Sequence, residues 1–293
     1  MRWRISARPS GGSLAGCALG SRLRVRVWCR VKSAGEVAFC PQMKRSFDQN
    51  EPELMDRPQP VTEELEKDLA NLASLNRWFG SHRLIRRFLA AWLKSGRSYT
   101  VLDLATGAGD VPRAMVEWAR SCGVALKVDA VDANASTIEI ARQLSRAYPE
   151  IEFMRANALT YESPTTYDLV CCSLALHHFS EDDAVRLLRR TRQLSHRFVL
   201  VSDLERDPAT TLGVWALTAL IYRNPMTQHD GRLSARRAFS FAEMRALADR
   251  AGWSNFGHAR FLFCRQALWL DERSFADIPA EALPIAEALP CPS

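Results

Sequence analysis

Between Val61 and Leu93 apolar residues return every three or four positions, placing Leu65, Leu69, Leu72 and Leu75 on one face, so the segment is expected to be helical. Gly80 should divide it into two helices. From Tyr99 the period changes. Apolar runs at 99–105, 124–132, 151–156, 167–176 and 196–204 predict strands, and the stretches between them, 111–121, 135–148 and 181–194, predict helices. Pro112 suits a first helical turn, where its missing N–H costs nothing. After Asp207 the pattern predicts an apolar helix to about Arg223, a polar loop over NPMTQHDGRLSARR (224–237), an amphipathic helix over 239–253, and two closing strands within 255–270. Strands that alternate with helices need crossovers. The expected fold is therefore α/β, a doubly wound, mostly parallel seven-stranded sheet with N-terminal helices.

The chain divides in composition as well as in pattern. Residues 1–42 hold eight basic side chains against Glu36 alone, although the whole chain of 293 residues carries only +6, so the remainder is nearly neutral. A sustained basic face is what phosphate neutralisation requires, and a nucleic-acid partner is not expected. The 1–42 segment is Arg-rich and almost free of acids, like a mitochondrial transit peptide; the favoured reading is an extension that is disordered or not part of the native product, because ordinary composition begins abruptly at Met43. Residues 43–98 form the helical segment, 99–270 the α/β domain, and 271–293 a low-complexity tail repeating AEALP. No apolar run reaches the ~18–20 residues of a membrane span, so stable membrane insertion is not expected. The 8 cysteines show no CxxC pair or metal spacing, which points to buried thiols, a reduced cytoplasmic setting and no metal site. Nothing in the pattern sets the oligomeric state.

The chemical signal is LDLATGAGD at 102–110, a glycine-rich turn after the first strand, where backbone can approach a ligand closely. A dinucleotide fingerprint would place a third glycine where Pro112 stands, and a phosphate-binding Walker loop would need Gly-Lys-Ser/Thr; neither is present. Asp132 ends the second strand, where a carboxylate can accept both hydroxyls of a ribose, so Asp103 and Asp132 together favour a nucleoside ligand. The alternative for Asp132 is a cap on the helix that follows.

With VDAVDAN at 128–134, ANA at 156–158, YDLVCCSLALHHF at 167–179 and the closing RALADRAGW and FLF, the chain over roughly 75–270 resembles the class I S-adenosylmethionine-dependent methyltransferases. Within them it is similar to the small-molecule enzymes of ubiquinone and menaquinone biosynthesis. The resemblance implies a Rossmann-like methyltransferase fold and S-adenosylmethionine as cofactor. It implies that Asp103 and the backbone at Gly107 and Gly109 hold the methionine part and Asp132 the ribose, with Ala133, Ala158 and Ser173 beside them. Asn157 stands where many members carry Asp near the adenine amine, and its amide oxygen can still accept a hydrogen bond. Ala105 stands where the first motif glycine is usual, and its methyl group asks for negative φ.

Methyl transfer from a sulfonium asks mainly for alignment and a dry pocket. The acceptor implied is a small apolar or aromatic molecule methylated at oxygen or carbon. Candidate catalytic residues are His177 and His178 after the fourth strand and His229 in the expected polar loop, with His178 expected to position ligands more than to move protons. His229, Asp230 and Gly231 read equally as an ordinary polar turn. The stretch 212–221, with Trp215 and Leu220, could wall an acceptor site or be a buried helix. The run Arg186, Arg189, Arg190 and Arg192 reads as a solvated helix face. Two other classes remain to be weighed. One is a non-catalytic interaction module that retains the fold; the other, a nicotinamide dehydrogenase, is disfavoured by Pro112.

Overall fold

Strand β1, Ser98–Leu104, buries Val101, Leu102 and Leu104 completely, the mark of a strand covered on both faces. It lies in the middle of a seven-stranded sheet ordered β3-β2-β1-β4-β5-β7-β6, in a computed structural model that describes residues 44–220, 222 and 224–276. The strands are β2 (Ala125–Asp132), β3 (Ile151–Arg155), β4 (Tyr167–Ser173), β5 (Ser195–Leu204), β6 (Gly257–Phe261) and β7 (Arg265–Leu270). The first five run parallel, and β7 enters antiparallel between β5 and β6. The chain order reverses between β1 and β4, so their carboxyl ends open a crevice at the switch point. Register fixes what sits there: Leu104 pairs with both Val131 and Cys172, which brings the ends of β1, β2 and β4 side by side.

Helices cover both faces. On one, α2 (Ser81–Trp92) places Leu84, Ile85 and Leu89 against Val101 and Val128, together with Met115 of α3 (Asp110–Cys122) and Ile138 of α4 (Ala135–Leu144). On the other, α5 (Glu181–Leu194) and α8 (Phe241–Arg250) bury Leu187, Leu188, Met244 and Leu247 against Leu102, Val170 and Val201. A capping box between Ser240 and Glu243 fixes the start of α8, which is shorter than the 239–253 expected. Preceding the sheet, α1 (Glu63–Trp78) is separated from α2 at Gly80, the break expected from the sequence, and its φ of 93° is a left-handed conformation that glycine adopts freely. A short helix α9, Glu272–Ala276, follows β7 inside the segment expected to be a structureless tail. Residues 1–42 and the AEALP repeats lie outside the described residues, so the expectations placed on them stand untested.

The polar loop expected at 224–237 is a helix, α7 (Pro225–Arg237), packed against α6 (Pro208–Leu220) and α1. Asn224 caps it by accepting from the Met226 and Thr227 amides, and Pro225 occupies the first turn. The apolar period is faint here because this helix buries polar side chains. Thr227 donates to Asp68, Ser234 to Glu53, and Asp230 accepts from the Leu54 and Met55 amides. Gly231 faces Thr218 of α6, where a Cβ would approach to 3.3 Å, so the glycine serves close helix contact rather than a turn. Strand β4 also ends earlier than expected. Leu174 has φ of 56°, and Leu176–His178 form a 3-10 turn that swings the two histidines off the sheet.

Candidate functional site

The glycine-rich turn leaves one buried carboxylate oxygen without a protein partner. After β1, Ala105, Gly107 and Gly109 all take left-handed φ, 55°, 56° and 74°. For Ala105 this corrects the expected negative φ; the conformation costs roughly 1–2 kcal/mol for a residue with a Cβ. Thr106 donates its amide to Val131 O and its hydroxyl to Asp103 Oδ2 at 2.7 Å. Asp103 Oδ1 is buried without a partner and faces a cavity of about 540 Å³. Around Gly107 nothing lies within 4 Å of where a Cβ would be, whereas at Gly109 a Cβ would strike the Phe153 ring at 2.6 Å. Gly107 thus leaves room for a ligand; Gly109, outside the cavity lining, allows α3 to start against β3.

Asp132 holds the turn from the next strand. Its Oδ2 accepts from the Gly107 amide and its Oδ1 from the Asn134 amide, each at 2.9 Å, while the carboxylate still lines the cavity. Burial raises its pKa and those two amides hold the rise back. The helix-cap alternative falls to Asn134, whose side chain accepts from the Ser136 and Thr137 amides of α4. Ala105, Ala133, Asn157, Ala158 and Ser173 all line the same cavity. Asn157 Oδ1 already accepts from the Leu159 amide, so only its second lone pair is open to a ligand amine.

Burial lifts Asp103 to about 7, the Thr106 hydroxyl opposing it. A carboxyl whose folded pKa lies above its unfolded value favours the fold when neutral; that stability is complete below about 4 and is lost as pH rises through about 7. Asp103→Asn is therefore expected to gain on wild type in Tm between pH 5 and pH 8, by about 3 °C or more. Thermal unfolding at the two pH values checks this; an equal difference at both would return Asp103 to the ordinary carboxylate range.

Opposite the turn lies a second polar group. His177 gives its Nδ1 to Asp203 Oδ1 at 2.7 Å and its amide to Asp203 Oδ2 at 2.8 Å. His178 Nδ1 meets Asp56 Oδ2 at 2.8 Å. Both Nε2 atoms face the carboxylate of buried Glu53, at 3.7 and 3.8 Å. Burial alone would lower His178, but Glu53 and Asp56 together raise it to about 10. Glu53 and Asp56 belong to the segment before α1, which is tied down by Asp230 and by Arg45, whose guanidinium donates to the His177 and Phe179 carbonyls. His229 is not brought to this group. Its ring lies on α7, 39% exposed, against Asp230 and outside the cavity lining.

The remaining wall is largely apolar, interrupted by Asn76, Asp110, Thr210, Thr218 and Arg265. Leu72, Phe79 and Phe263 face the cavity with Gly213, Val214 and Leu217 of α6. Of the two readings left open for this helix, the inner face lines the pocket, but through other residues: Leu212, Trp215 and Leu220 sit on its outer face, 72, 53 and 73% exposed. Sequence reasoning missed Glu53, Asp56 and Asp203. Asp203 offered a signal, a carboxylate near the end of a buried strand, the same logic that singled out Asp103 and Asp132. Glu53 and Asp56 offered none.

Sheet order, glycine turn and paired strand-end carboxylates together define a class I methyltransferase fold, and residues 101–196 match the family model described as a methyltransferase domain. That match covers about a third of the chain and marks the stretch from β1 to the start of β5 as similar to that domain. Over 101 residues it is 33% identical to the 2-phytyl-1,4-naphtoquinone methyltransferase of Thermosynechococcus vestitus, covering 34% of this chain and 44% of that protein. Over 128 residues it is 31% identical to the ubiquinone/menaquinone biosynthesis C-methyltransferase of Escherichia coli, covering 42% of this chain and 50% of that one. The matches thus span about half the length of these curated relatives. A SAM-dependent methyltransferase from Aquifex aeolicus shares the fold, with a TM-score of 0.51 at 17% identity over 70% of this chain and 96% of that one.

Proposed function

We propose that the protein transfers a methyl group from S-adenosylmethionine to a small acceptor with an apolar or aromatic body, at oxygen or carbon. The observation that carries this reading is the single cavity whose one end presents the unpartnered Asp103 Oδ1 beside Asp132 and whose other end is apolar and histidine-lined. The residues fit the cofactor. Asp103 offers a buried acceptor to a donor of the methionine part, open Gly107 allows close approach, Asp132 keeps lone pairs for ribose hydroxyls, and Asn157 stands on the base side. S-adenosylmethionine supplies, when bound, a sulfonium methyl open to in-line displacement. The protein's part is alignment and dryness: Leu72, Phe79, Phe263 and the inner face of α6 exclude water, and His177 and His178 meet the polar end of the acceptor. The relatives, a naphtoquinone methyltransferase and a ubiquinone/menaquinone biosynthesis C-methyltransferase, support a quinol or phenol as acceptor.

The basic run on α5 supports a small molecule over RNA. Arg186 pairs with Asp183, while Arg189, Arg190 and Arg192 donate to the Arg250, Tyr161 and Gly252 carbonyls. Among the described residues no helix is long and apolar enough to cross a membrane, and Cys122, Cys171, Cys172 and Cys264 are free thiols, which supports a reduced cytoplasmic setting. Transfer of labelled methyl from S-adenosylmethionine into a panel of phenols, quinol precursors, amines and fatty acids tests the function. Label is expected in a phenol or quinol. Tight cofactor binding with no transfer to any member would favour the non-catalytic module, and absence of cofactor binding would overturn the reading entirely.

A further inference from the structure

Glu53, His177 and His178 bring one carboxylate and two imidazole nitrogens within 4.8 Å of one another. The two Nε2···Oε separations, 3.7 and 3.8 Å, are too long for hydrogen bonds. His177 Nε2 lies nearest Glu53 Oε1 and His178 Nε2 nearest Glu53 Oε2, each a few tenths of an ångström beyond the ~3.4 Å between two ligands bound tetrahedrally to one ion at ~2.1 Å. A small inward movement of the three groups would let them share one ion.

The surroundings are arranged as a metal site's are. Each imidazole is held at Nδ1 by its own carboxylate, Asp203 for His177 and Asp56 for His178, which fixes the rings and turns both Nε2 atoms toward Glu53. Ser234 donates to Glu53 Oε1 at 2.7 Å and orients that carboxylate. Three carboxylates surround the two imidazoles, and among the described residues no guanidinium hydrogen-bonds to the Glu53 carboxylate: Arg45 donates to the His177 and Phe179 carbonyls and Arg237 to the Asp48 and Glu51 carbonyls. All three candidate ligands line the cavity, so coordination positions not filled by protein would open on the acceptor side.

We propose that Glu53, His177 and His178 bind one divalent transition-metal ion as a two-histidine, one-carboxylate site facing the acceptor. Cysteine and histidine spacing could not reveal it, because Glu53 reaches the histidines only through the docking of its segment on α7. In the methyl-transfer reading, on which the ion's role but not its binding depends, an acceptor hydroxyl oxygen would ligate the ion. Its O–H bond would be weakened and the proton would leave to solvent; the oxygen pair would form the bond to the methyl carbon as the carbon–sulfur bond breaks, that pair remaining on the sulfur of departing S-adenosylhomocysteine.

The test is calorimetric titration of the full chain, freed of metal by chelator, with Zn²⁺ and with Mn²⁺ in the absence of cofactor and acceptor. One equivalent bound with a Kd below about 1 µM is expected, with a loss of tenfold or more in Glu53→Gln and in His178→Gln, and about 10- to 100-fold in Asp56→Asn. His229→Ala, outside the cavity, should bind as wild type does. Circular dichroism and S-adenosylmethionine affinity show that each variant is folded, and a variant failing either is set aside in favour of His178→Gln, the most exposed of the three ligands. No saturable binding of either ion up to about 100 µM, or binding undiminished in folded His178→Gln, overturns the site. Either result leaves cofactor binding at Asp103 and Asp132 untouched, so this proposal and the methyl-transfer reading fail separately.

Discussion

Asp203→Ala is expected to lower the unfolding free energy by about 3–5 kcal/mol, because three donors that bond its carboxylate lose their acceptor, at about 1–3 kcal/mol for each one left unsatisfied. The carboxylate is 1% exposed and accepts from His177 Nδ1, the His177 amide and the Leu204 amide. Alanine leaves all three donors without this acceptor, and water has little room to replace three bonds made at one carboxylate. Asp203→Asn should lose much less, since its amide oxygen can still accept from the backbone and the imidazole can change tautomer to accept from its NH₂. Urea unfolding of the three proteins measures this. A cost below about 1 kcal/mol for alanine would mean that His177 is held by its neighbours and not by Asp203.

Asp132→Ala is expected to weaken S-adenosylmethionine binding about ten- to hundredfold, the equivalent of roughly 1.5–3 kcal/mol for a charge-assisted contact to the ribose. The structure adds an indirect route to the same loss. The carboxylate also receives the Gly107 amide, so its removal frees the glycine turn that shapes the cofactor end. Calorimetry on variants with unchanged circular dichroism checks the affinity. Asp132→Asn separates the two routes: it keeps an acceptor for one amide but lacks the charge, and should fall between wild type and alanine. Affinity equal to wild type in the alanine variant would take Asp132 out of the site.

The sheet was legible because its strands are covered on both faces and so are continuous apolar runs, β4 and β5 above all. The cofactor end was legible because its chemistry lies at strand ends, where Asp103, Gly107 and Asp132 are local to their motifs. The segment 224–237 failed for the opposite reason. Four of its seven buried positions, Thr227, Asp230, Ser234 and Arg237, are polar and satisfy partners on other segments, and with only Met226, Leu233 and Ala235 buried beside them the segment looks like a loop. The Glu53 group failed for the same cause on a longer scale. No spacing within one motif relates Glu53 to His177 and His178, and only the fold makes them neighbours. Ala105 shows a smaller limit: sequence marked the departure from glycine, but the backbone kept the left-handed turn and accepted the strain.

The strap at residues 44–56 has a consequence for the order of assembly. Its anchors, the His177 and Phe179 carbonyls and Asp230, lie far along the chain, so during synthesis the segment emerges long before anything exists to receive it. The glycine turn and Asp132, by contrast, can form as soon as β1 and β2 pair. Long-range contacts of this kind form late, because the intervening loop must close before they are rewarded. Nascent chains halted before α7 would thus carry a nearly complete cofactor end and an open acceptor end, and the two halves of the cavity would mature at different times on the ribosome.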